Sequence, residues 1–498
     1  MKKQSFLRSI VQRTVSNRAL MGFAATALST AMLLPSSSAF ADTSTKPRAR
    51  GVAAGPMVFT PRLRLGAGYN NNIGLNAKDE INRGSAEFIV APSLGLKLRD
   101  TGVVRFSANG GVSWRKYLDE RVAGKKVSGI DGNGQVNLQV NYGGPVSFVL
   151  SDNVRQSHDA IYGPDLNDDP YEVSFSEYGA DIGANRVLTN TARAGMKFHP
   201  GGDNDDAMGF VGNLEAVHTY THYQQDDAQY DRQRIHGRLS LGWRFLPRSV
   251  LSVQGGVGRN FYKHPAGVGV THGSYAEGSA NFQDRQATRN NDSTSYNVGV
   301  GLRTLILPRL SVNTRVGYSG AVYEDGPSPG GLSLLFQGDS QLTEGMKLRF
   351  GYGTNFTDAT FGNYLVYHRI FASYSIKHRI FNASLSAFAQ VNKYAPVNAT
   401  LVDGSGNPIE DYYDSSKDVG SPGDGSGTFR RKDYPIGASA EFSVNAGNHV
   451  LVGVNYSIMT NQSNLDAIPR GGWSGGNKVS GNPDFLRHRI YLFVALAL

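Results

Sequence analysis

The sequence predicts an all-β protein, a transmembrane antiparallel β-barrel of about 18 strands with short turns at one end and long loops at the other. Three observations predict it. Apolar and polar residues alternate with a period of two along nearly the whole chain, short and long connections alternate between the alternating segments, and no apolar run of spanning length lies beyond the first 41 residues.

Composition narrows the field before any motif is read. The chain has 498 residues, 18% charged and 40% hydrophobic, with 24 Tyr, 24 Phe, 60 Gly and no Cys. That is too apolar and aromatic for disorder, while a mean hydropathy of -0.33 is too polar for a helical membrane protein. The lack of cysteine excludes a small disulfide-stapled scaffold.

The alternation is explicit in Gln135-Val-Asn-Leu-Gln-Val-Asn-Tyr142. Such a period gives a strand one wet face and one apolar face. Leu310, Val312, Val316, Tyr318 and Val322 oppose Ser311, Asn313, Arg315 and Ser319. Ile235, Leu239, Leu241, Trp243 and Phe245 oppose Arg234, His236, Arg238, Ser240 and Arg244, and Met346, Leu348, Phe350, Tyr352 and Phe356 oppose Lys347, Arg349 and Asn355. In lipid every backbone polar group must be paired, so a sheet crosses only when closed, and each strand then needs apolar residues on its outer face alone. Hydropathy therefore stays negative.

Short turns fall at Arg99–Gly102, Tyr142–Pro145, Pro247–Arg248, Pro308–Arg309, Glu344–Gly345, His378–Arg379 and Ala446–Asn448. Longer polar loops, notably Lys263–Asn291, Ala395–Thr428 and Asn461–Asp484, lie between them. Counting from a first strand near Pro61–Asn72 gives about 18 strands if Glu177–His199 is one long strand, with 16 or 20 as the neighbouring solutions. A hairpin at Thr189-Asn190-Thr191 would instead reverse every later turn and leave an odd number.

The N-terminus reads as an export signal. Lys2, Lys3, Arg8, Arg13 and Arg18 precede the apolar Ala19–Leu34 and the small-x-small Ala39-Phe40-Ala41, so cleavage is expected before Asp42. The h-region is too short for the ~20 apolar residues of a membrane helix. The expected organisation is a signal over 1–41, a periplasmic tail over 42–60 and the barrel over 61–498. Removing five basic residues changes 50 Lys and Arg against 41 Asp and Glu to 45 against 41, a net of +4. A nucleic-acid partner loses its electrostatic support.

The end of the chain, Phe485-Leu-Arg-His-Arg-Ile-Tyr-Leu-Phe-Val-Ala-Leu-Ala-Leu498, would place Leu486, Ile490, Leu492, Val494, Leu496 and Leu498 outward and Arg487, Arg489, Tyr491 and Phe493 inward. It resembles the C-terminal strand of outer-membrane barrels, whose last residues are read by the barrel-insertion machinery. Those usually end in an aromatic, where this chain has Leu498. Leu65-Gly-Ala-Gly-Tyr-Asn-Asn-Asn72 resembles the opening of a porin-like outer-membrane β-barrel family, in which a Gly-x-Tyr-Asp/Asn-x-Asn motif closes strand one. The resemblance implies an outer-membrane location and, since some members lie among exopolysaccharide-secretion genes, a link to polysaccharide export.

No catalytic, cofactor or metal site is expected. The 11 histidines, among them His218, His222, His264 and His272, form no HExxH, and no Gly-x-Ser-x-Gly elbow is present. Asp165-Leu-Asn-Asp-Asp169 and Asp418-Val-Gly-Ser-Pro-Gly-Asp-Gly-Ser-Gly427 space carboxylates closely enough for calcium, but without a bidentate Glu at the required offset they read as solvated loops.

The inward faces are the candidate functional surface. Arg105, Arg115, Arg155, Arg234, Arg238, Arg244, Arg315, Arg349, Arg369, Arg487 and Arg489 fall on the polar side of their strands, against the acids Asp181, Glu215, Asp339 and Glu441. A barrel this size encloses water, so the expectation is a positively biased lumen, with individual arginines serving equally to cross-link the wall. Inward Gly299, Gly301, Ser384 and Ser386 leave room for it. Tyr69, Trp114, Tyr142, Trp243, Phe245, Tyr318 and Tyr456 suit interfacial girdles rather than a sugar slide. Two functions follow: a channel passing small hydrophilic solutes or polysaccharide, or a plugged structural or adhesive barrel. Membrane lipid is the expected surrounding in either.

Overall fold

The computed structural model describes the chain from Gly51 to Ala497, apart from 74–83, 99–102, 158–186, 202–206, 224–230, 264–280, 285–291, 325–327, 360–363, 403–425, 465–484 and positions 120, 123–124, 127, 396 and 430. Eighteen antiparallel strands form one closed sheet. They are β1 Met57–Asn70, β2 Ser85–Leu98, β3 Val104–Tyr117, β4 Gly129–Val140, β5 Val146–Ser157, β6 Val187–Phe198, β7 Gly209–Tyr223, β8 Asp231–Leu246 and β9 Ser249–Lys263. The second half comprises β10 Ser293–Leu307, β11 Leu310–Tyr323, β12 Gly330–Thr343, β13 Met346–Asp358, β14 Tyr364–Lys377, β15 Phe381–Tyr394, β16 Ile436–Asn445, β17 Val450–Asn461 and β18 Phe485–Ala497. Each pairs with its sequence neighbours, and β1 pairs with β18 from Arg62↔Ala497 to Asn70↔Arg489, which abolishes both edges.

The outer face carries exposed Leu, Val, Phe, Tyr and Trp side chains, including Trp114, Leu241, Trp243, Val300 and Leu332. Such a belt is unfavourable in water and suited to hydrocarbon, which makes this a transmembrane barrel. The girdle residues Tyr69, Trp114, Trp243, Phe245, Tyr318 and Tyr456 lie on that face, all well exposed. Tyr142 departs from the expectation, because its ring lies in the β4–β5 turn beneath the Arg105 guanidinium.

The turn end includes three two-residue connections, Pro247-Arg248, Pro308-Arg309 and Glu344-Gly345, beside longer ones. At each of the three the ladder shifts register just before the turn, between Arg244 and Leu246, Leu305 and Leu307, and Gln341 and Thr343. A bulge there lets a strongly twisted hairpin reverse in two residues. Arg248 in the Pro247-Arg248 turn adopts φ 61°.

Two details differ from the sequence reading. The first strand starts at Met57, ahead of Pro61. Pro61 pairs with Leu94 of β2, and the described pairing with β18 begins beside it at Arg62↔Ala497. The long loops also contain sheet: Asn281–Asp284, Val397–Val402 and Ser426–Phe429 form three antiparallel strands. Thr189-Asn190-Thr191 runs uninterrupted through β6, paired on both sides, and the part of the expected long strand before Val187 lies outside the described residues. So do Asp165–Asp169 and most of Asp418–Gly427.

Candidate functional site

The inner wall has two unlike halves. From β14 through β18 to β2 most inner side chains are buried, bulky apolar ones among small and polar ones: Leu365, Leu451 and Phe485 are 0% exposed, and Phe371, Phe388 and Met459 pack with Phe485. A second cluster joins Ile89, Leu451, Tyr491, Phe493 and Ala495. Ser384 and Ser386 lie within this dry half, buried, with Ser386 sharing a 3.0 Å hydrogen bond with Ser439. They therefore do not open the lumen as expected. Buried Gly299 and Gly301 do not border open space either, for a Cβ at Gly299 would press on Val316.

The facing half, on β3–β6, is open. Asn109, Asn133, Gln135, Asn153 and Arg155 are exposed on inner-face positions. At the turn end, inner-face Lys97, Lys197, Arg303, Lys347 and Lys377 are exposed as well, a basic rim around that mouth.

All eleven candidate arginines alternate with outward residues and so occupy the inner face, but they do different things. Arg489 makes a bidentate pair with the fully buried Glu87, at 2.6 and 3.0 Å. Arg349 contacts Asp339 at 2.6 Å, and Arg115 approaches Asp131 at 3.8 Å. Arg238 and Arg193 flank Glu215, each at 3.9 Å. Arg369 lies 4.4 Å above the Phe388 ring, in the dry half, and Arg487 is buried there too. Arg244 donates to the Ala207 carbonyl at 3.2 Å, Arg105 stacks on Tyr142, and Arg234 and Arg315 are half-buried. Close pairing cancels much of an arginine's field; among the described residues, the exposed basic side chains of the inner wall are Arg155 and the basic rim.

Sequence reasoning passed over Arg62, Arg64, Arg193, Arg232, Arg303, Glu87 and Asp131, all inner-face residues. Glu87 was hidden because Phe88, Ile89 and Val90 are all apolar, so the two faces of β2 look alike. Asp181 lies outside the described residues.

At the loop end, the tip of β13 bends across the mouth. The Asp358 carboxylate accepts from Asn260 Nδ2 at 2.7 Å, from Tyr262 Oη at 3.3 Å and from Tyr323 Oη, with Arg232 at 3.9 Å. One carboxylate thus ties β8, β9, β11 and β13 together. The crossing occurs where β12 stops short: its pairing with β11 ends at Gly320↔Gly330, and with β13 at Leu334↔Thr354.

The opening motif of strand one explains itself at the seam. Gly66 and Gly68 face inward on β1, and their missing side chains admit the Tyr491 ring and the Glu87–Arg489 bridge, which passes over β1 from β2 to β18. Beyond the strand end, Asn71 N–H donates to the His488 carbonyl at 3.0 Å, and Asn71 Oδ1 accepts from His488 N–H at 2.6 Å. Asn72 Nδ2 reaches the Leu486 carbonyl at 3.2 Å. The Asn run continues the ladder with side chains after the strand proper has stopped.

Among the described residues no group of His, Asp or Glu is arranged to hold a metal. Neither a known protein family nor a curated protein sequence matches the chain. Solved structures resemble it in outline only. The siderophore receptor PirA from Pseudomonas aeruginosa is 8% identical, with a TM-score of 0.40 and coverage of 90% of this chain and 81% of that one. OccAB4 from Acinetobacter baumannii is 10% identical, with a TM-score of 0.41 and coverage of 88% and 98%. The FrpB iron transporter from Neisseria meningitidis is 9% identical, with a TM-score of 0.42 and coverage of 90% and 81%. Fold and inner wall together define a membrane-spanning β-barrel with a half-open, basic lumen.

Proposed function

We propose that the chain is an outer-membrane channel with a transport rather than a catalytic role, whose passage follows the open wall of β3–β6 and favours anionic hydrophilic solutes. The observation that supports it is the placement of charge: exposed Arg155 stands on that wall, and exposed Lys97, Lys197, Arg303, Lys347 and Lys377 stand around the turn-end mouth. Fixed positive charge raises the local anion concentration over a Debye length of ~8 Å at physiological salt. Short turns facing the periplasm and loops facing outward fit the export signal read in 1–41. Insertion machinery acting on β18 and surrounding lipid would be its partners, and nucleic acid would not.

The test is the reversal potential across a planar bilayer under a salt gradient, for the full chain and for the triple variant Arg234→Gln, Arg238→Gln, Arg244→Gln. Anion preference that weakens in the variant supports the reading; cation preference in the wild type refutes it. A plugged structural barrel is the second reading, favoured by the buried half of the inner wall, and it predicts no conductance. A role as a polysaccharide conduit rests on the opening motif alone, and requires that deleting the gene abolish surface polysaccharide.

A further inference from the structure

The outer wall sets two like charges directly against each other. Lys393, the last outward residue of β15, is the ladder partner of Lys432 in the two-residue strand Lys432–Asp433 that precedes β16. Asn392, Tyr394, Arg431 and Asp433 on either side of them are buried on the inner face, so both lysines point outward, Lys393 exposed and Lys432 half-buried. Among the described residues no carboxylate pairs with either. Asp433, next to Lys432, is turned inward, where Arg431 donates to it at 2.6 and 3.0 Å and Tyr394 Oη at 3.0 Å.

Backbone bonds fix this register. Gln390 N–H donates to the Pro435 carbonyl at 2.9 Å and Tyr394 N–H to the Arg431 carbonyl at 3.0 Å, so the even-numbered residues of β15 hold the hydrogen-bonded sites here. Lys393 and Lys432 therefore meet at a non-hydrogen-bonded site, where Cα atoms are about 4.5 Å apart and side chains stand closest. On its other edge Lys432 is held by Asn464, whose Oδ1 accepts from its N–H at 2.6 Å and whose N–H donates to its carbonyl at 3.0 Å. The strand cannot slide to part the charges. Their depth follows from their neighbours: Lys393 is one residue from the loop end of β15, and the next outward residues toward mid-membrane are Val391 and Ala389, with Tyr434, 38% exposed, leading into Ile436 of β16. An exposed Tyr with apolar residues on one side and lysines on the other marks the edge of the apolar belt, where hydrocarbon gives way to headgroups.

We propose that Lys393 and Lys432 hold the phosphomonoester headgroup of a membrane lipid in the loop-end leaflet. Like charges directly opposite on a ladder destabilise a sheet, and an oxyanion between them replaces that repulsion with two charge-assisted hydrogen bonds. A phosphomonoester, with a charge of about -1.5 to -2 at neutral pH, matches two ammonium groups where a phosphodiester would neutralise one. A lipid fits better than a soluble anion, because the pair faces away from the lumen and Val391, Ala389 and Ile436 lie directly below it, where the acyl chains attached to the same headgroup would run.

The test uses the full chain, selected for folding by heat-modifiable migration and reconstituted in phosphatidylcholine vesicles doped with lipid A, which carries phosphomonoesters. After extraction in mild detergent, native mass spectrometry counts the lipid A that stays bound. The wild type should retain it, and the double variant Lys393→Ser, Lys432→Ser should retain about fivefold less for each lysine removed. Lys393→Arg with Lys432→Arg should keep it, as should Lys347→Ser with Lys377→Ser, whose lysines face the lumen. In phosphatidylcholine alone the serine variant should unfold at the same or a higher urea concentration than the wild type, because it removes a repulsion. Undiminished retention in the serine variant, equal retention of lipid A stripped of its phosphates, or displacement by an equal concentration of inorganic phosphate would each overturn the proposal. A serine variant less stable than the wild type in phosphatidylcholine alone would overturn it too, by making the lysines part of the fold.

Discussion

Cutting the Glu87–Arg489 bridge should loosen the closing seam of the barrel. Glu87 is 0% exposed and the Arg489 side chain 17%, and the two share two hydrogen bonds of 2.6 and 3.0 Å across β1. Removing one partner of a buried pair strands the other charge and costs about 3–5 kcal/mol. The residual access of water to Arg489 argues for the lower end, about 3 kcal/mol, or roughly a hundredfold in the folding equilibrium. Glu87→Ala and Arg489→Ala should each lose about that much in urea unfolding of the reconstituted barrel, followed by gel mobility without boiling. The double variant leaves no stranded charge, so it should be destabilised by at least about 2 kcal/mol less than the sum of the singles. Additive losses, or single losses below about 1 kcal/mol, would show that Gly66, Gly68 and the Asn run hold the seam without the ion pair.

Three further outcomes are expected. Leu241→Arg places a charge on the outer belt, where mid-depth arginine costs roughly 2–4 kcal/mol, and should impair assembly, while Ser240→Arg on the inner face should not; equal heat-modifiability of the two would contradict the facing of β8. Anion preference in the bilayer should collapse near 1 M salt, where the Debye length is about 3 Å, and a preference insensitive to salt would point to a specific binding site instead of a diffuse field. Asp358→Ala should release the tip of β13 from Asn260, Tyr262 and Tyr323 and raise single-channel conductance and open-state noise; unchanged traces would mean that the mouth is not limiting.

The barrel was legible because lipid imposes a rule that each strand must obey alone. In β8, odd positions from Ile235 to Phe245 face outward and even positions from Arg234 to Arg244 inward, as the two-residue period requires. Legibility failed where the inside stopped being wet. In β2, β14 and β18 both faces carry apolar residues, so Ile89, Phe371 and Phe493 look like lipid-facing side chains until the neighbouring strands show what they pack on. The arginines were visible one by one, but their partners were not. Whether Arg349 is a free lumen charge or half of a pair depends on Asp339 standing opposite in the register of β12 and β13, and register is a property of two strands that neither encodes alone. The same holds for the outward face: Asp152 lies within the polar run Ser151-Asp152-Asn153 of β5, and only its alternation with outward Leu150 and Val154 shows which way it points.

The dry half of the lumen also polices how the barrel is sewn together. Phe388 lies over Gly437 of the next strand, Phe493 over Gly453, Tyr491 over Gly66 and Phe371 over Gly351, each ring occupying the space a Cβ would fill. Sliding any of these strands along its neighbour by one residue turns the ring outward, and for two of them sliding by two sets it on a side chain: Ser439 or Pro435 for Phe388, Asn455 or Leu451 for Phe493. Phe388 and Phe493 act as keys that enter only their own notches. A chain without a single cysteine thus carries a mechanical proof of alignment, and misaligned intermediates are left too poorly packed to close.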